Sequence, residues 1–315
     1  MSQTKPPTKL DASIIVCTYN RADSLARTLR SLKAQELRSD VDWEVLVVDN
    51  NSTDRTRAVV EAFRIDFPRL RYTFEVRQGL AHARNHGVAS SLGEVLLFTD
   101  DDVSPEPDWV KRILDGMAAS GCDACGGFIA PVWELPPPAW LTERFHGFLA
   151  IRAERTDTYE VLPGTMPPFG ANMAFRKNVF ARLGGFDVLR GRRGNVLAGG
   201  EDIEMFERVL AAGGKVMFFG DARVHHAVES YRLKKHYFRR WRYQTSRNLA
   251  ERRGFPGERR LLGIPLYLFP QSLRAVVRAL LARFSARADE AFLREIIAWH
   301  FLGSMEGLFR SRKRT

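Results

Sequence analysis

Apolar runs alternate with amphipathic stretches along the first hundred residues, and nothing else in this sequence limits its fold so tightly. Ser13-Ile14-Ile15-Val16-Cys17, Trp43-Glu44-Val45-Leu46-Val47-Val48 and Val95 to Phe98 are predominantly apolar runs, the second broken once by Glu44. A run without polar alternation suits a strand buried on both faces. Leu25, Leu29 and Leu32 recur at helical spacing from about Ala22, and Val59, Val60 and Phe63 mark a second helix that stops before Pro68. Arg71 to Val76 reads as a short strand, and Gly79 to Asn85 opens a helix leading to Val95. This order predicts a mostly parallel sheet with helices on both faces. Ligands of such sheets bind beyond the carboxyl ends of the strands.

Polar residues gather at that edge: Thr18-Tyr19-Asn20, Asp49-Asn50-Asn51 and Asp100-Asp101-Asp102. Asn and Asp suit turns anywhere, but repetition at three strand ends points to a crevice. Alternation along an extended strand would set Asp100 and Asp102 on one face and Asp101 on the other. Two carboxylates so close repel, and a bound hard cation relieves the repulsion. The competing reading is an acidic turn capping the helix that begins near Asp108-Trp109-Val110. Neither G-x-x-x-x-G-K-[ST] nor G-x-G-x-x-G follows the first strand, so a phosphate held here would depend on a metal.

The chain has 315 residues, 45% of them hydrophobic, enough for one large α/β domain or two smaller ones. Three cysteines, Cys17, Cys122 and Cys125, are few and odd in number, which suits a reducing, cytoplasmic setting. Cys122 and Cys125 form a lone C-x-x-C without a second pair, so no structural zinc is expected. The polar stretch Met1 to Leu10 shows no secretory signal. Charge is uneven. Asp221 to Thr315 holds 21 Lys+Arg against 8 Asp+Glu, whereas the other 220 residues hold 27 against 29. The whole positive excess lies in the last third.

Pro131 to Pro168 reads as an irregular segment with one helix near Leu141 to Ala150. Its Trp133, Trp140, Phe145 and Phe148 suit either an acceptor groove or a plain covering loop. Phe169 to Arg176 is expected as a strand, and Asn178 to Leu183 as a helix ended by Gly184-Gly185. Gly199-Gly200-Glu201-Asp202 introduces a helix with Ile203, Phe206, Val209 and Leu210 inward. Acids in a first turn complement the helix dipole, yet the glycines before them would let a ligand approach. Lys215 to Phe219 is a strand, and His225-His226 beyond it reads as a surface turn or a metal ligand, with the turn favoured by the residues alone.

In order, these motifs resemble those of family 2 glycosyltransferases over roughly Ala12 to Gln244. They are S-I-I-V-x-T-Y-N-R, V-V-D-N-N-S-T-D, G-x-x-x-A-R-N at Gly79 to Asn85, the D-D-D triplet, G-A-N-M-A-F-R, G-G-F-D, G-E-D-I-E, and V-H-H-x-V with Arg232 beyond. The resemblance implies a GT-A type of α/β fold, an open, mostly parallel twisted sheet flanked by helices, here with a basic helical C-terminal extension. It implies a nucleotide-sugar donor, a UDP-sugar first among them, lying over Thr18, Tyr19, Asn20, Asp49, Asn51, Arg84, Asp100 and Asp101. A divalent cation, Mg2+ or Mn2+, would be held by Asp102, with Asp100 and His226 or His225. The H-x-V-x-x-x-R spacing to Arg232 favours His226. Asp202 matches the base that would deprotonate an acceptor hydroxyl, with Glu201 next in line. Such a single displacement inverts the anomeric centre, and a glycan or lipid-linked saccharide is the acceptor expected.

The expected organisation is a flexible 1–10, a nucleotide-sugar half over 11–120, an acceptor and catalytic half over 121–230, and a basic helical region over 231–315. A sugar nucleotidyltransferase would need a Gly-rich basic loop where Thr18-Tyr19-Asn20-Arg21 stands. A polyanion-binding protein is the remaining alternative, but the aromatics of Tyr231 to Tyr243 alternate with charge as on an amphipathic helix, so no nucleic-acid partner is expected. Beyond Leu261 to Phe269, Leu273, Val276, Val277, Leu280, Leu281 and Phe284 recur among Arg274, Arg278 and Arg283. Interrupted too often to span a bilayer, the segment would lie on an anionic inner membrane face or pack on the body or in a homo-oligomer.

Overall fold

A computed structural model describes residues 9–192, 197 and 199–312. Its described residues form two compact units. The first takes in those of Met1–Val132, Ala150–Gly194 and Gly200–Ala227, and the second those of Trp133–Leu149, Asn195–Gly199 and Val228–Thr315. Met1 to Thr8, within the expected flexible N-terminus, lie outside the described residues.

The alternation in the sequence folds as expected. β1 (Leu10–Thr18), α1 (Ala22–Lys33), β2 (Trp43–Asp49), α2 (Thr56–Arg64), β3 (Leu70–Phe74), α3 (Leu80–Ser90) and β4 (Gly93–Asp100) follow in turn. β1 pairs in parallel with β2 on one side and β4 on the other, and β3 extends β2 in parallel. Ile14 and Val16 pack with Leu25, Leu29 and Val60 of α1 and α2 on one face. Ile15, Leu46 and Phe98 pack with Ala81 and Ala83 of α3 on the other. Burial on both faces is why these strands carry no polar alternation. At the start of β4, a Cβ on Gly93 would fall 2.3 Å from the Ser13 nitrogen, so the two strands meet at backbone distance.

The rest of the sheet brings in antiparallel pairs. β5 (Val103–Pro105), α4 (Trp109–Ser120), β6 (Ala124–Trp133), the two-residue β7 (Tyr159–Glu160), β8 (Met173–Arg176), α5 (Lys177–Leu183), α6 (Glu201–Ala211) and β9 (Val216–Val228) follow. The strand order is β3-β2-β1-β4-β8-β6-β9-β5, with β7 beside β9. The strand expected over Phe169 to Arg176 is confined to its last four residues, because Gly170 to Asn172 turn back to bond other segments. Cys122 and Cys125 are both fully buried at the start of β6.

In the second unit the helix expected near Leu141 to Ala150 is a 3-10 helix, Glu143–Leu149. Its Phe145 and Phe148, with Trp140, meet Phe238 of α7 (Lys235–Arg253) and Phe292 of α9 (Ala288–Ser311); the Trp140 and Phe292 rings are 4.6 Å apart. Phe145, Phe238 and Phe292 are buried core in this unit, with Trp140 and Phe148 half-buried against them. Arg232 is buried there, its guanidinium 5.7 Å from the Tyr237 ring. α9 presses on α7 through glycines: a Cβ on Gly303 would lie 2.3 Å from the Tyr243 carbonyl oxygen, and one on Gly307 2.1 Å from that of Arg247. α8 (Leu268–Ser285) packs against α9 with Ala275 and Ala279.

Candidate active site

Parallel pairing brings the carboxyl ends of β1, β2 and β4 side by side: Thr18 stands opposite Asp49, and Cys17 opposite Asp100. The three polar strand ends therefore meet at one edge of the sheet.

β4 ends at Asp100, and Asp101 and Asp102 lie in the turn before β5, so the expected alternation does not run across the triplet. The turn gives each carboxylate its own partners. Asp101 points inward. Its Oδ2 accepts a hydrogen bond from Thr18 Oγ1 at 2.7 Å, and its Oδ1 lies 3.2 Å from Arg21 Nε. Asp102 Oδ2 is 3.1 Å from Arg21 Nη2, and its Oδ1 is 3.3 Å from His226 Nε2. Burial pushes the Asp101 carboxyl up to about 7; Arg21 pulls it down and Asp102 pushes it further up. Asp100 keeps 34% of its side chain exposed, 3.6 Å from Arg84 Nη2.

The turn expected at the two histidines is strand. β9 continues through them, opposite β5, with Val103 across from His226 and Ser104 across from His225. Neighbours in a strand face opposite sides. His226 is buried against Asp102, whereas His225, 43% exposed, lies 3.2 Å from Glu106 Oε1. Of the two, His226 reaches the acidic turn.

Several residues of the polar edge hold one another. Asp49 is buried, with Oδ1 accepting from the Ser52 amide and Oδ2 from the Tyr72 hydroxyl, each at 2.9 Å. Asn20 Oδ1 accepts from the Thr53 amide at 2.7 Å. Asn20 and Asn51 take left-handed backbone, φ 52° and 67°, which Asn tolerates better than most residues. Tyr19 and Asn51 are exposed.

Across the edge, Gly200 (φ 103°) leads into α6. Glu201 turns inward, its Oε1 accepting from Arg84 Nη1 at 2.7 Å, with 4% of the Arg84 side chain and 3% of the Glu201 side chain exposed. Burial opposes the charge on Arg84; Glu201, Asp100 and Asp202 overcome it and hold the guanidinium above its ordinary value. Burial likewise pushes the Glu201 carboxyl up, against Arg84. Asp202, the next residue, remains partly exposed, and its Oδ2 accepts from the Gly170 amide at 2.7 Å. A Cβ on Gly170 would fall 2.2 Å from Arg84 Nη2. Arg84 therefore stands between Asp100 and the start of α6.

Two contributors escaped the sequence reading. Arg21 bridges Asp101 and Asp102. Asn172, fully buried, donates from Nδ2 to the carbonyls of Phe128 (3.0 Å) and Ala222 (2.9 Å) and accepts from Trp109 Nε1 at 2.9 Å, locking the turn that carries Gly170. No periodicity marks either residue; the motifs T-Y-N-R and G-A-N-M-A-F-R contain them without giving them a role.

Among the described residues no three His, Cys, Asp or Glu side chains are arranged to enclose a metal ion. Of the four metal ligands expected, Asp102 and His226 come together, Asp100 lies nearer Arg84, and His225 faces away. One carboxylate oxygen and one imidazole nitrogen fit a divalent cation that takes its other ligands from substrate phosphates and water.

These parts, in this order, are those of one enzyme family. The profile of Glycosyl transferase family 2 matches residues 13–184. The chain belongs to that family and is a glycosyltransferase of GT-A fold. It is 29% identical over 310 residues to the succinoglycan biosynthesis protein ExoM of Rhizobium meliloti, covering 96% of this chain and 95% of that one. It is 28% identical over 229 residues to the glucosyl-dolichyl phosphate glucuronosyltransferase of Haloferax volcanii, covering 71% and 72%. Among solved structures, the mannosyltransferase PcManGT from Pyrobaculum calidifontis, in complex with GDP-Man and Mn2+, matches with a TM-score of 0.59 at 20% identity, covering 98% of this chain and 87% of that one.

Proposed function

We propose that the protein moves a sugar from a nucleoside-diphosphate donor to a hydroxyl of a growing glycan or lipid-linked saccharide, with inversion, on the cytoplasmic side of the membrane. The observation that carries this is Arg84, 3.6 Å from Asp100 and bonded to the residue beside Asp202. It ties a donor-side carboxylate to a base-side one. Asp100 and the residues at the ends of β1 and β2 receive the donor, a uridine nucleotide being the first to test and GDP the second, as in the mannosyltransferase. Asp102 and His226 hold a divalent cation, which supplies positive charge to the departing diphosphate when bound. Asp202, held through Oδ2 by the Gly170 amide and through Oδ1 by the Ile203 amide yet still partly exposed, takes the acceptor's proton. Glu201 holds Arg84 and through it the start of α6.

Asp202→Asn tests the reading. Transfer should fall at least about a hundredfold while donor affinity, measured by calorimetry, stays within about threefold. Loss of donor binding in this variant would make Asp202 a binding residue and remove the proposed base.

A further inference from the structure

α8 buries its small side chains and exposes its large apolar ones. Ser272, Ala275, Ala279 and Ala282 are the buried positions. Leu273 is 66% exposed, Val277 44%, Leu280 52%, Leu281 63% and Phe284 91%. A helix of a self-contained domain places its largest apolar residues inward. At about 100° per residue, these five fall within an arc of roughly 100°. Arg274 and Arg278, both exposed, border one edge of that arc, and the exposed Arg283 borders the other. Leu262, Leu266 and Tyr267, just before the helix, are exposed as well. From Arg259 to Ser285 the sequence carries five arginines and no Asp or Glu.

An apolar stripe bordered by cations on both sides is the profile of a helix lying flat in an interface, with its stripe at the acyl boundary and its guanidinium groups on headgroup phosphates. Among the described residues no helix is long and apolar enough to cross a membrane, and this stripe covers one side of one helix. Charge argues against a second copy as the cover. A twofold contact through this face would bring two sets of these arginines together, with no carboxylate from the segment between them. We propose that the exposed face of α8 is the surface by which the enzyme docks on an anionic lipid membrane. The inference stands apart from the sugar chemistry: lipid binding is measured without donor or acceptor, so either can fail alone.

Flotation of the full-length protein with vesicles decides it. The protein should float with phosphatidylcholine vesicles containing phosphatidylglycerol, not with phosphatidylcholine alone, and binding should weaken as salt rises. Leu273→Ser with Leu280→Ser and Phe284→Ser should lower partitioning by more than about tenfold, and Arg274→Gln with Arg278→Gln by roughly fivefold per arginine. All five side chains are exposed, so unchanged melting temperatures will show that the variants fold. The proposal falls if the wild type fails to float with anionic vesicles at low salt, or if the triple serine variant floats as well as the wild type. It also falls if the lipid-free protein is a dimer that the serine substitutions dissociate, since a second copy then covers this face.

Discussion

Gly170 has room for a hydrogen and no more. The Arg84 guanidinium that fills the space beside it is the end of a flexible chain, which elsewhere would swing aside at little cost. Here it is buried and bonded to Glu201, so moving it leaves a buried carboxylate uncompensated. Gly170→Ala should therefore keep the fold but displace Arg84 and shift Asp202, which bonds the same residue's amide. Transfer should fall roughly tenfold to a hundredfold, with KM for donor changing much less than kcat, as steady-state kinetics would show. At this scale the sequence was half legible. Acids at a strand end and a G-E-D run before a helix announced charged groups near a ligand. Which carboxylate does what was not legible, because it depends on a two-residue turn. That turn sends Asp101 to Thr18 and Asp102 to His226, against the alternation an extended strand would impose.

At the level of elements, strands buried on both faces were the easiest to read, since continuous apolar runs need no partner to be recognised. β9 was harder. From Asp221 its residues alternate outward and inward, with Ala222, Val224, His226 and Val228 buried, so a period of two was present in the sequence. A histidine in an inward slot disguised it as the start of a turn. Two joints between elements invite tests. Just beyond β3, Glu75 is 4% exposed and accepts three hydrogen bonds from Arg77, each at 2.9 Å. These bonds from Arg77 pull its carboxyl down to about 2. A depressed folded pKa stabilises the fold above the unfolded value, about 4.3, and that stabilisation is lost as pH falls towards 2. Glu75→Gln should lower the Tm at pH 7 and converge with the wild type near pH 2, by calorimetry across that range. The second joint is the α7–α9 contact. Gly307→Leu pushes a side chain into the Arg247 carbonyl, and overpacking of about 1–3 kcal/mol or more should lower the Tm by at least about 3 °C.

Over the whole molecule, the charge asymmetry was plain in the sequence, and the structure gives it an address in the second unit, whose helices carry most of the excess arginine. What the sequence could not show is that α8 would turn its alanines inward, since the spacing of Leu273, Val277 and Leu280 suits a buried face equally well. The site places a different demand on the whole. On the function proposed above, a cation held by only two protein ligands, Asp102 and His226, would contribute to catalysis and not to folding. EDTA should abolish transfer while leaving the Tm of the donor-free protein unchanged, in contrast to a structural metal, whose removal unfolds its domain. The Arg84–Glu201 pair joins residues 117 positions apart, and this fixes an order of events during translation. At about 5–20 residues per second, Arg84 leaves the ribosome roughly 6–23 seconds before its counter-ion does. β1 to β4 can pair in that interval and bring Asp100 near Arg84, but the buried carboxylate that bonds Arg84 directly arrives only with Glu201. A chain released before that codon would carry a cation into the sheet edge with no carboxylate from α6 to receive it.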